Sequence, residues 1–196
     1  MPKVDKCGDK ARDSSFRPCF NAPMLDRIPS IAIPWILIAA SAATIGGALF
    51  FQHGLGYVPC ELCFLGRQPH YFAMGAALIA GILSREANIG IGVLIFLALC
   101  VAAYLTGAGI SAYHAGVEYH WWEGPETCAG GSLVSNSLED LQSALGGGAK
   151  PPRCDEAAWS VFGISLAGFN FLICLALATL SALPLARYFR ESRGEI

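Results

Sequence analysis

The sequence predicts an all-α membrane protein, a bundle of four transmembrane helices with a short amphipathic helix in its second outer loop. Composition is the first observation: of 196 residues, 54% are hydrophobic and 14% are charged, whereas soluble domains carry about 25% charged residues. The second is a set of four uncharged apolar segments, each close to the ~20 residues that cross a bilayer. The formal net charge of −2 provides no basic field, so we expect no nucleic-acid partner.

The four apolar segments also define the expected domain boundaries. The second segment is the weakest, because Arg67 and Arg85 bound it closely. Within it, Ala73, Ala77 and Gly81 recur every four residues, which indicates either close helix packing or simply an abundance of small residues. The expected ranges are 1–30 for a disordered cytoplasmic tail, 31–186 for the membrane domain with spans at 31–51, 68–84, 89–113 and 158–183, and 187–196 for a second cytoplasmic tail.

The basic residues predict the orientation of the chain. All but three of the 13 lysines and arginines lie in the two tails or at Arg85, between the second and third spans. Because positively charged segments stay on the cytoplasmic side, both termini are expected in the cytoplasm. Residues 53–67 and 114–156 then form the first and second outer loops. A long polar tail precedes the first apolar run, so no cleaved signal peptide is expected.

The eight cysteines fall into groups according to this topology. Two lie in the N-terminal tail and are expected to stay reduced, and two lie inside spans, where a thiol behaves as a small hydrophobic group. The other four face the outside, where an even number of cysteines implies disulfide bonds or redox chemistry. In order, the groups are Cys7 and Cys19; Cys100 and Cys174; and Cys60, Cys63, Cys128 and Cys154.

Cys60 and Cys63 form a C-x-x-C motif just before the second span. One thiol of such a pair commonly has a lowered pKa, and the thiolate is the reactive form. The positive end of the following helix dipole is expected near Cys63 and favours an anion there. Arg67 falls one turn further along the same face, where its charge either stabilises a thiolate or a reduced ligand oxygen, or extends to lipid headgroups.

Cys128 and Cys154 are separated by a long stretch of the second outer loop. Leucines at helical spacing in residues 132–145 predict a short amphipathic helix on the membrane surface. A disulfide bond that closes this loop is either structural or exchangeable with a soluble partner. Both readings stay open at this point.

A zinc site is the competing use of the outward cysteines, with His114 and His120 as further candidate ligands. Structural zinc sites usually combine two closely spaced ligand couples, and only one close couple exists here, so we expect no metal. Acidic residues of the second outer loop are interpreted as a solvated face. These residues are Glu118, Glu123, Glu126, Glu139, Asp140, Asp155 and Glu156.

Two outward dithiols on one small membrane protein suggest an electron relay by thiol–disulfide exchange. One pair then faces a soluble substrate and the other faces a terminal acceptor. No nucleotide-binding motif occurs in the sequence. A lipid-soluble quinone is therefore the natural acceptor at the outer end of the first two spans.

With these residues the sequence resembles the bacterial disulfide bond formation protein family, DsbB, over about residues 31–185. The C-x-x-C motif with its arginine, the four-span layout and the second cysteine pair together make the resemblance specific. The long N-terminal tail falls outside it. The matching residues are Phe51, Gln52, His53, Pro59, Cys60, Glu61, Leu62, Cys63, Arg67, Gly75 to Ile79, His114, Cys128, Cys154, Asp155, Glu156, Trp159 and Gly163.

The resemblance implies a four-helix enzyme of the bacterial inner membrane that reoxidises a periplasmic thioredoxin-fold protein of the DsbA type. It implies that the partner's thiolate attacks Cys128 and that Cys154, its disulfide mate, then reaches Cys60. It further implies that Cys63 is the thiolate that meets the quinone, ubiquinone or menaquinone. The implied electron path runs from the partner through both cysteine pairs to the quinone.

The resemblance also implies residues around the quinone. Arg67 corresponds to the arginine that supports the quinone, and His114 to a histidine near the quinone ring. Trp159 matches a conspicuous aromatic position of the family.

Two alternatives remain at this stage. A vitamin K epoxide reductase-like protein is also a four-helix quinone redox bundle, but its quinone-facing C-x-x-C lies near the last span, so the order of the pairs favours DsbB. The other alternative is a non-enzymatic membrane protein with structural disulfide bonds.

Overall fold

The described part of the chain consists mainly of helices, with one small β-hairpin. A computed structural model provides the coordinates. It describes residues 29–57, 59–84, 90–125, 154, 155, 157 and 159–193. The predicted N-terminal tail through residue 28, the predicted loop helix at 132–145, Cys128 and Arg85 lie outside the described residues.

The described residues include four long helices. A 3-10 turn, Ser30–Ala32, leads into α1, and a π-helical turn, Phe50–Gly54, extends it. Proline in the first turn of α1 is compatible with helix geometry because the amide it lacks has no intrahelical acceptor. The helices are α1 (Ile33–Leu49), α2 (Glu61–Leu83), α3 (Ile91–Glu118) and α4 (Leu166–Ser192).

Three of these helical stretches are long and apolar enough to cross a membrane: Ser30–Gly54, Ile91–Glu118 and Leu166–Arg190. This finding matches the first and third predicted spans and the membrane-protein class. The second segment forms α2, which is long enough but less apolar because its first turns carry Glu61 and Arg67.

Three predicted boundaries differ from the observed helices. The second helix begins at Glu61, not at residue 68, so the C-x-x-C motif lies at its N-terminus. The third helix runs to Glu118, not to residue 113, which places His114 inside it. The fourth helix begins at Leu166, not at residue 158. It also continues through the fully buried Pro184 into the predicted C-terminal tail.

A tight β-hairpin accounts for the late start of α4. Strands β1 (Ser160–Val161) and β2 (Ile164–Ser165) pair antiparallel. The two turn residues both have positive φ, 52° at Phe162 and 79° at Gly163, as a two-residue turn that follows strand twist requires. The Tyr119 hydroxyl fixes the hairpin to the end of α3, donating to the Gly163 carbonyl at 2.8 Å and accepting from the Ser165 amide at 3.1 Å.

Small residues allow the helices to pack closely. Ala73 and Ala77 are fully buried, and a Cβ atom at Gly81 would lie 3.3 Å from the Trp35 ring of α1. The repeating small residues of α2 therefore mark a helix interface. A Cβ atom at Gly107 of α3 would lie 3.0 Å from the Cys174 sulfur. Such contacts matter in a membrane, where van der Waals packing rather than water exclusion holds helices together.

Candidate active site

Cys60 is the N-cap of α2. Its backbone is extended, and its sulfur accepts a hydrogen bond from the Cys63 backbone N–H at 3.3 Å. The first amide groups of a helix have no intrahelical acceptor and carry partial positive charge, so an anion is favoured there. The C-x-x-C spacing thus brings the sulfur of Cys60, rather than that of Cys63, against the exposed amides.

The two sulfur atoms of the motif lie 3.0 Å apart, about 1 Å more than a disulfide bond. The hydrogen bond between the Cys60 and Cys63 side chains, reinforced by His114, holds the pKa of Cys60 well below its usual value although burial opposes the shift. The reduced pair therefore loses its first proton readily, and the negative charge lies on Cys60.

His114 and Glu118 approach the motif from α3. The Nε2 atom of His114 lies 3.6 Å from the Cys60 sulfur and 3.7 Å from Glu118 Oε1. The Glu118 side chain is only 5% exposed, so its interpretation as part of a solvated face is wrong. The physical reason is the length of α3: one turn separates the two residues, which therefore share one inward face.

Arg67 lies one turn beyond Cys63 on α2. Its guanidinium donates to Gln52 Oε1 at 2.8 Å and stands 5.2 Å from the centre of the Phe64 ring. Among the described residues it has no carboxylate partner. The π-helical turn at the end of α1 supplies Gln52, and π-helical turns occur often at functional sites. The arginine is therefore held in place with its charge uncompensated by an acid.

A cavity of about 270 Å³ lies between the four helices and contains most of these groups. Its wall from α1 is apolar except for Thr44, whose hydroxyl donates to the Ala40 carbonyl, and the other polar groups come from the remaining three helices. The volume is just below the ~300–1,000 Å³ usual for small-molecule sites. The polar and sulfur-bearing residues of the lining are Thr44, Cys63, Arg67, His70, Ser111, His114, Glu118 and Asn170.

Cys154 packs beside the C-x-x-C motif. It is 1% exposed and belongs to a buried cluster with Cys60, Leu62 and Val117. Its sulfur is in a disulfide bond, whereas Cys60 and Cys63 are free. Three of the four outward cysteines of the sequence analysis thus lie together. The fourth, Cys128, lies outside the described residues.

A second polar group, the buried network, lies deeper between the helices, and sequence reasoning missed it. His70 contacts Ser41 Oγ at 3.2 Å through Nδ1 and Asn170 Oδ1 at 3.1 Å through Nε2. Asn170 donates to Ser111 Oγ at 2.7 Å, and Ser41 and Tyr104 share a hydrogen bond of 2.8 Å. A histidine inside a span, a costly placement that calls for a partner, was the signal that could have revealed it.

Trp159 packs against two phenylalanines that line the cavity. Its ring lies 5.2 Å from that of Phe51 and 6.4 Å from that of Phe169. Both phenylalanines line the cavity. Trp159 therefore packs on the wall of the site without lining it.

The arrangement suits thiol–disulfide chemistry next to a small-molecule cavity. A stabilised thiolate, a second thiol and a disulfide sulfur lie within one buried cluster, which is what exchange between two cysteine pairs requires. Cys60, Cys63 and His114 also present ligand atoms within 4.8 Å of one another, a donor set that soft metal ions accept.

Comparison with known proteins agrees with this chemistry. The family model described as "Disulfide bond formation protein DsbB" matches residues 31–184. A "Disulfide bond formation protein B" from Verminephrobacter eiseniae (strain EF01-2) is 30% identical over 179 residues, which cover 86% of this chain and 93% of the relative. The protein of the same name from Aromatoleum aromaticum (strain DSM 19018 / LMG 30748 / EbN1) is 26% identical over 153 residues, or 75% and 86% of the two chains.

These matches span nearly all of the helical part of the chain and include the C-x-x-C motif, Arg67, His114 and Cys154. They favour a disulfide-generating oxidoreductase over a membrane protein with purely structural disulfide bonds. They name a disulfide bond formation protein and not a vitamin K epoxide reductase. The chain belongs to the DsbB family of disulfide bond formation proteins.

Proposed function

We propose that this protein oxidises the dithiol of a periplasmic, thioredoxin-fold DsbA-like protein and passes the electrons to a membrane quinone. The observation that carries the proposal is the cavity shared by Cys63, Arg67 and His114, directly beside the sulfur of Cys60. A thiol pair at the wall of an apolar cavity among membrane helices suits an acceptor that arrives through the lipid. The protein thereby maintains disulfide bond formation.

The first half of the proposed path joins two cysteine pairs. The partner's thiolate attacks Cys128, breaks its disulfide bond to Cys154 and forms a mixed disulfide. The freed Cys154 thiolate attacks Cys60 in the oxidised C-x-x-C pair, and Cys63 leaves as a thiolate. Release of the oxidised partner, and return of Cys154 to Cys128, leaves Cys60 and Cys63 reduced by two electrons. The burial of Cys154 in the Cys60 cluster supports this order.

The residues of the cavity fit a quinone, either ubiquinone or menaquinone. Its largely apolar wall from α1 suits the ring and the first part of an isoprenoid tail, while Arg67 and His114 offer donors to the ring oxygens. Arg67 is held by Gln52 and lacks a carboxylate partner among the described residues, so its charge is available to an electron-rich oxygen. When bound, a quinone supplies a two-electron acceptor that takes up two protons.

We also propose that α2 is the fourth span and that both termini lie in the cytoplasm of a bacterium whose inner membrane holds the protein. The packing of α2 between α1 and α3 supports its place in the bundle, and the basic residues of the tails support the orientation. The cysteine-bearing loops then lie in the periplasm, and the amphipathic helix at 132–145 lies on the membrane surface there. The site works without a metal ion.

Mixing the purified full chain with a reduced DsbA-type protein and ubiquinone tests the proposal, with quinone absorbance as the readout. We expect stoichiometric quinone reduction, lost in Cys63→Ser because no second sulfur remains to close the disulfide bond. Cys100→Ser, a matched change inside α3 and away from the cavity, is expected to keep the activity. Absence of quinone reduction in the wild-type chain, or equal turnover in Cys63→Ser, would overturn the proposal.

A further inference from the structure

Glu118 is a buried acid that the proposed electron path does not use. Its side chain is 5% exposed and lines the cavity together with Cys63 and Arg67. Its Oε2 atom is buried and has no hydrogen-bond partner among the described residues. A buried polar atom left unpaired is costly and calls for an explanation. Because this oxygen belongs to a cavity-lining residue, a bound ligand is the simplest missing partner.

His114 stands between this acid and the sulfur chemistry. The same Nε2 atom lies 3.6 Å from the Cys60 sulfur and 3.7 Å from Glu118 Oε1. The first distance is ordinary for a hydrogen bond to sulfur. The second is slightly longer than a hydrogen bond between nitrogen and oxygen, as is common for catalytic groups before the substrate is present. The three groups therefore form a continuous row from the thiol to the cavity.

We propose that Glu118 is a proton-transferring residue of quinone reduction, which receives a proton from Cys60 through His114 and donates it to a quinone oxygen. The inference rests on the proposed function, since it assigns a route to protons that the reaction must move. Cys60 gives its proton to Glu118 through His114 when its thiolate forms, and Cys63 gives up the second proton as the S–S bond closes, so the dithiol loses two electrons and two protons in total. The quinone is reduced to hydroquinone, whose two new O–H bonds take both protons.

The other polar groups near the acid fit this role less well. Arg67 is engaged by Gln52 Oε1. His70 is engaged by Ser41 and Asn170. The proton of Cys63 needs no relay, because that residue lines the cavity itself. Among the described residues, Glu118 is the only carboxyl group in the cavity lining.

Several titratable or charged groups face this carboxyl group and must be considered in any pH profile. His114 lies on its own helix, one turn away. From α2 and its N-cap come Cys60, Cys63, Arg67 and His70, of which all but Cys60 line the cavity. The walls from α1 and α4 contribute no charged side chain to the lining. The pH dependence assigned to Glu118 must therefore be separated from that of the cysteines.

Glu118→Gln tests the proposal, because it keeps the size of the side chain and removes the acidic proton. In the quinone assay we expect the rate of quinone reduction to fall by about 10²–10⁴-fold, as for loss of a general acid, with a changed pH profile. Exchange between the partner and Cys128 is expected to stay normal. Glu118→Asp should recover part of the rate. Glu123→Gln is the matched control, since Glu123 is exposed and lies outside the cavity.

A second readout needs no quinone. The infrared difference spectrum between the reduced and oxidised dithiol of the full chain should contain a carboxylic-acid C=O band, as Glu118 gains or loses its proton. We expect this band to vanish in Glu118→Gln and to persist in Glu123→Gln. An unchanged spectrum together with a wild-type rate and pH profile in Glu118→Gln would overturn the proposal.

The two proposals fail in different ways. If the wild-type chain reduces no quinone, the proposed function is wrong, whereas the infrared spectrum still reports whether Glu118 exchanges a proton with the dithiol. If the wild-type chain reduces quinone and Glu118→Gln does so equally well at every pH, only the role of Glu118 is wrong.

Discussion

Two buried polar groups lie a short distance apart in this protein, and they differ in how completely their atoms are paired. In the buried network, His70 and its neighbours contact one another at 2.7–3.2 Å. In the sulfur site, His114 stands 3.6 Å from the Cys60 sulfur and 3.7 Å from Glu118, and one oxygen of the Glu118 carboxylate has no hydrogen-bond partner within the described part of the chain.

This difference in pairing distinguishes side chains that stabilise the fold from side chains that are available for a reaction. Side chains whose hydrogen-bonding capacity is used up hold helices in one arrangement, because breaking any contact leaves a polar atom unpaired in an apolar medium. Side chains with a long contact and an unpaired hydrogen-bond acceptor can bind a substrate or a proton without first breaking a strong hydrogen bond. The cavity touches both groups, through His70 on one side and through Cys63 and His114 on the other.

Arg67→Ala should give the largest effect among the tests of this comparison. Loss of a charge-assisted contact of about 1.5–3 kcal/mol predicts a rise in the KM for quinone of about 10–100-fold. The free energy of unfolding and the exchange with the partner at Cys128 should change little, because Arg67 lies outside the buried network. Steady-state kinetics with varied quinone check this. Unchanged quinone kinetics would assign Arg67 to lipid headgroups instead.

His70→Leu should mainly lower stability. Interhelical hydrogen bonds in membrane proteins contribute about 0.6 kcal/mol on average and up to ~1.7 kcal/mol, and this change removes the contacts to both Ser41 and Asn170. We expect the free energy of unfolding to fall by about 1–3 kcal/mol in detergent denaturation. The matched control is His53→Leu, at an exposed position. A variant as stable as the wild type would remove the structural role of the network.

The Cys60 thiolate should be visible by its ultraviolet absorbance in the reduced chain. Because the pKa of Cys60 is lowered, the absorbance should persist below the pH at which an ordinary cysteine becomes protonated, and disappear only as the pH falls through the lowered value. His114→Leu removes one of the lowering influences and should move the transition to higher pH. Cys60→Ser is the control that should lack it. A transition at the ordinary thiol pKa would contradict the assignment.

Tyr104→Phe should have the smallest effect. It removes one hydroxyl from the edge of the buried network and leaves the Ser41 contact with His70 in place. The expected loss is about 0.6 kcal/mol of stability, measured by the same denaturation. Quinone kinetics should stay at the wild-type level, since Tyr104 does not line the cavity. A large change in KM would mean that the two polar groups are coupled.

The membrane class and the family could be predicted from sequence because both depend on local patterns. Apolar segments long enough to cross a bilayer predicted the positions of the first and third helices closely. The spacing of Cys63 and Arg67 predicted that both lie on one face of α2, and both line the cavity. The hairpin before α4 was missed, since its positive-φ turn at Phe162 uses a residue type that rarely adopts that conformation.

Residues whose roles depend on contacts between helices could not be predicted. Glu118 was assigned to solvent because a charged residue after an apolar run usually ends a span, whereas here α3 continues to it. The buried network draws Ser41, His70, Tyr104 and Asn170 from four different helices. No spacing within one segment contains that information. The roles of Cys128 and the loop helix remain predictions.

The Tyr119 hydroxyl has a consequence for the timing of electron transfer. By fixing the hairpin to α3, it anchors the segment that follows Cys154. This anchor limits how far the Cys154 sulfur can move from Cys60. A sulfur atom tethered in this way meets the Cys60 sulfur at an effective concentration in the millimolar range or above. In the proposed electron path, transfer between the two cysteine pairs is therefore intramolecular, and we expect its rate not to depend on the concentration of the protein in the membrane.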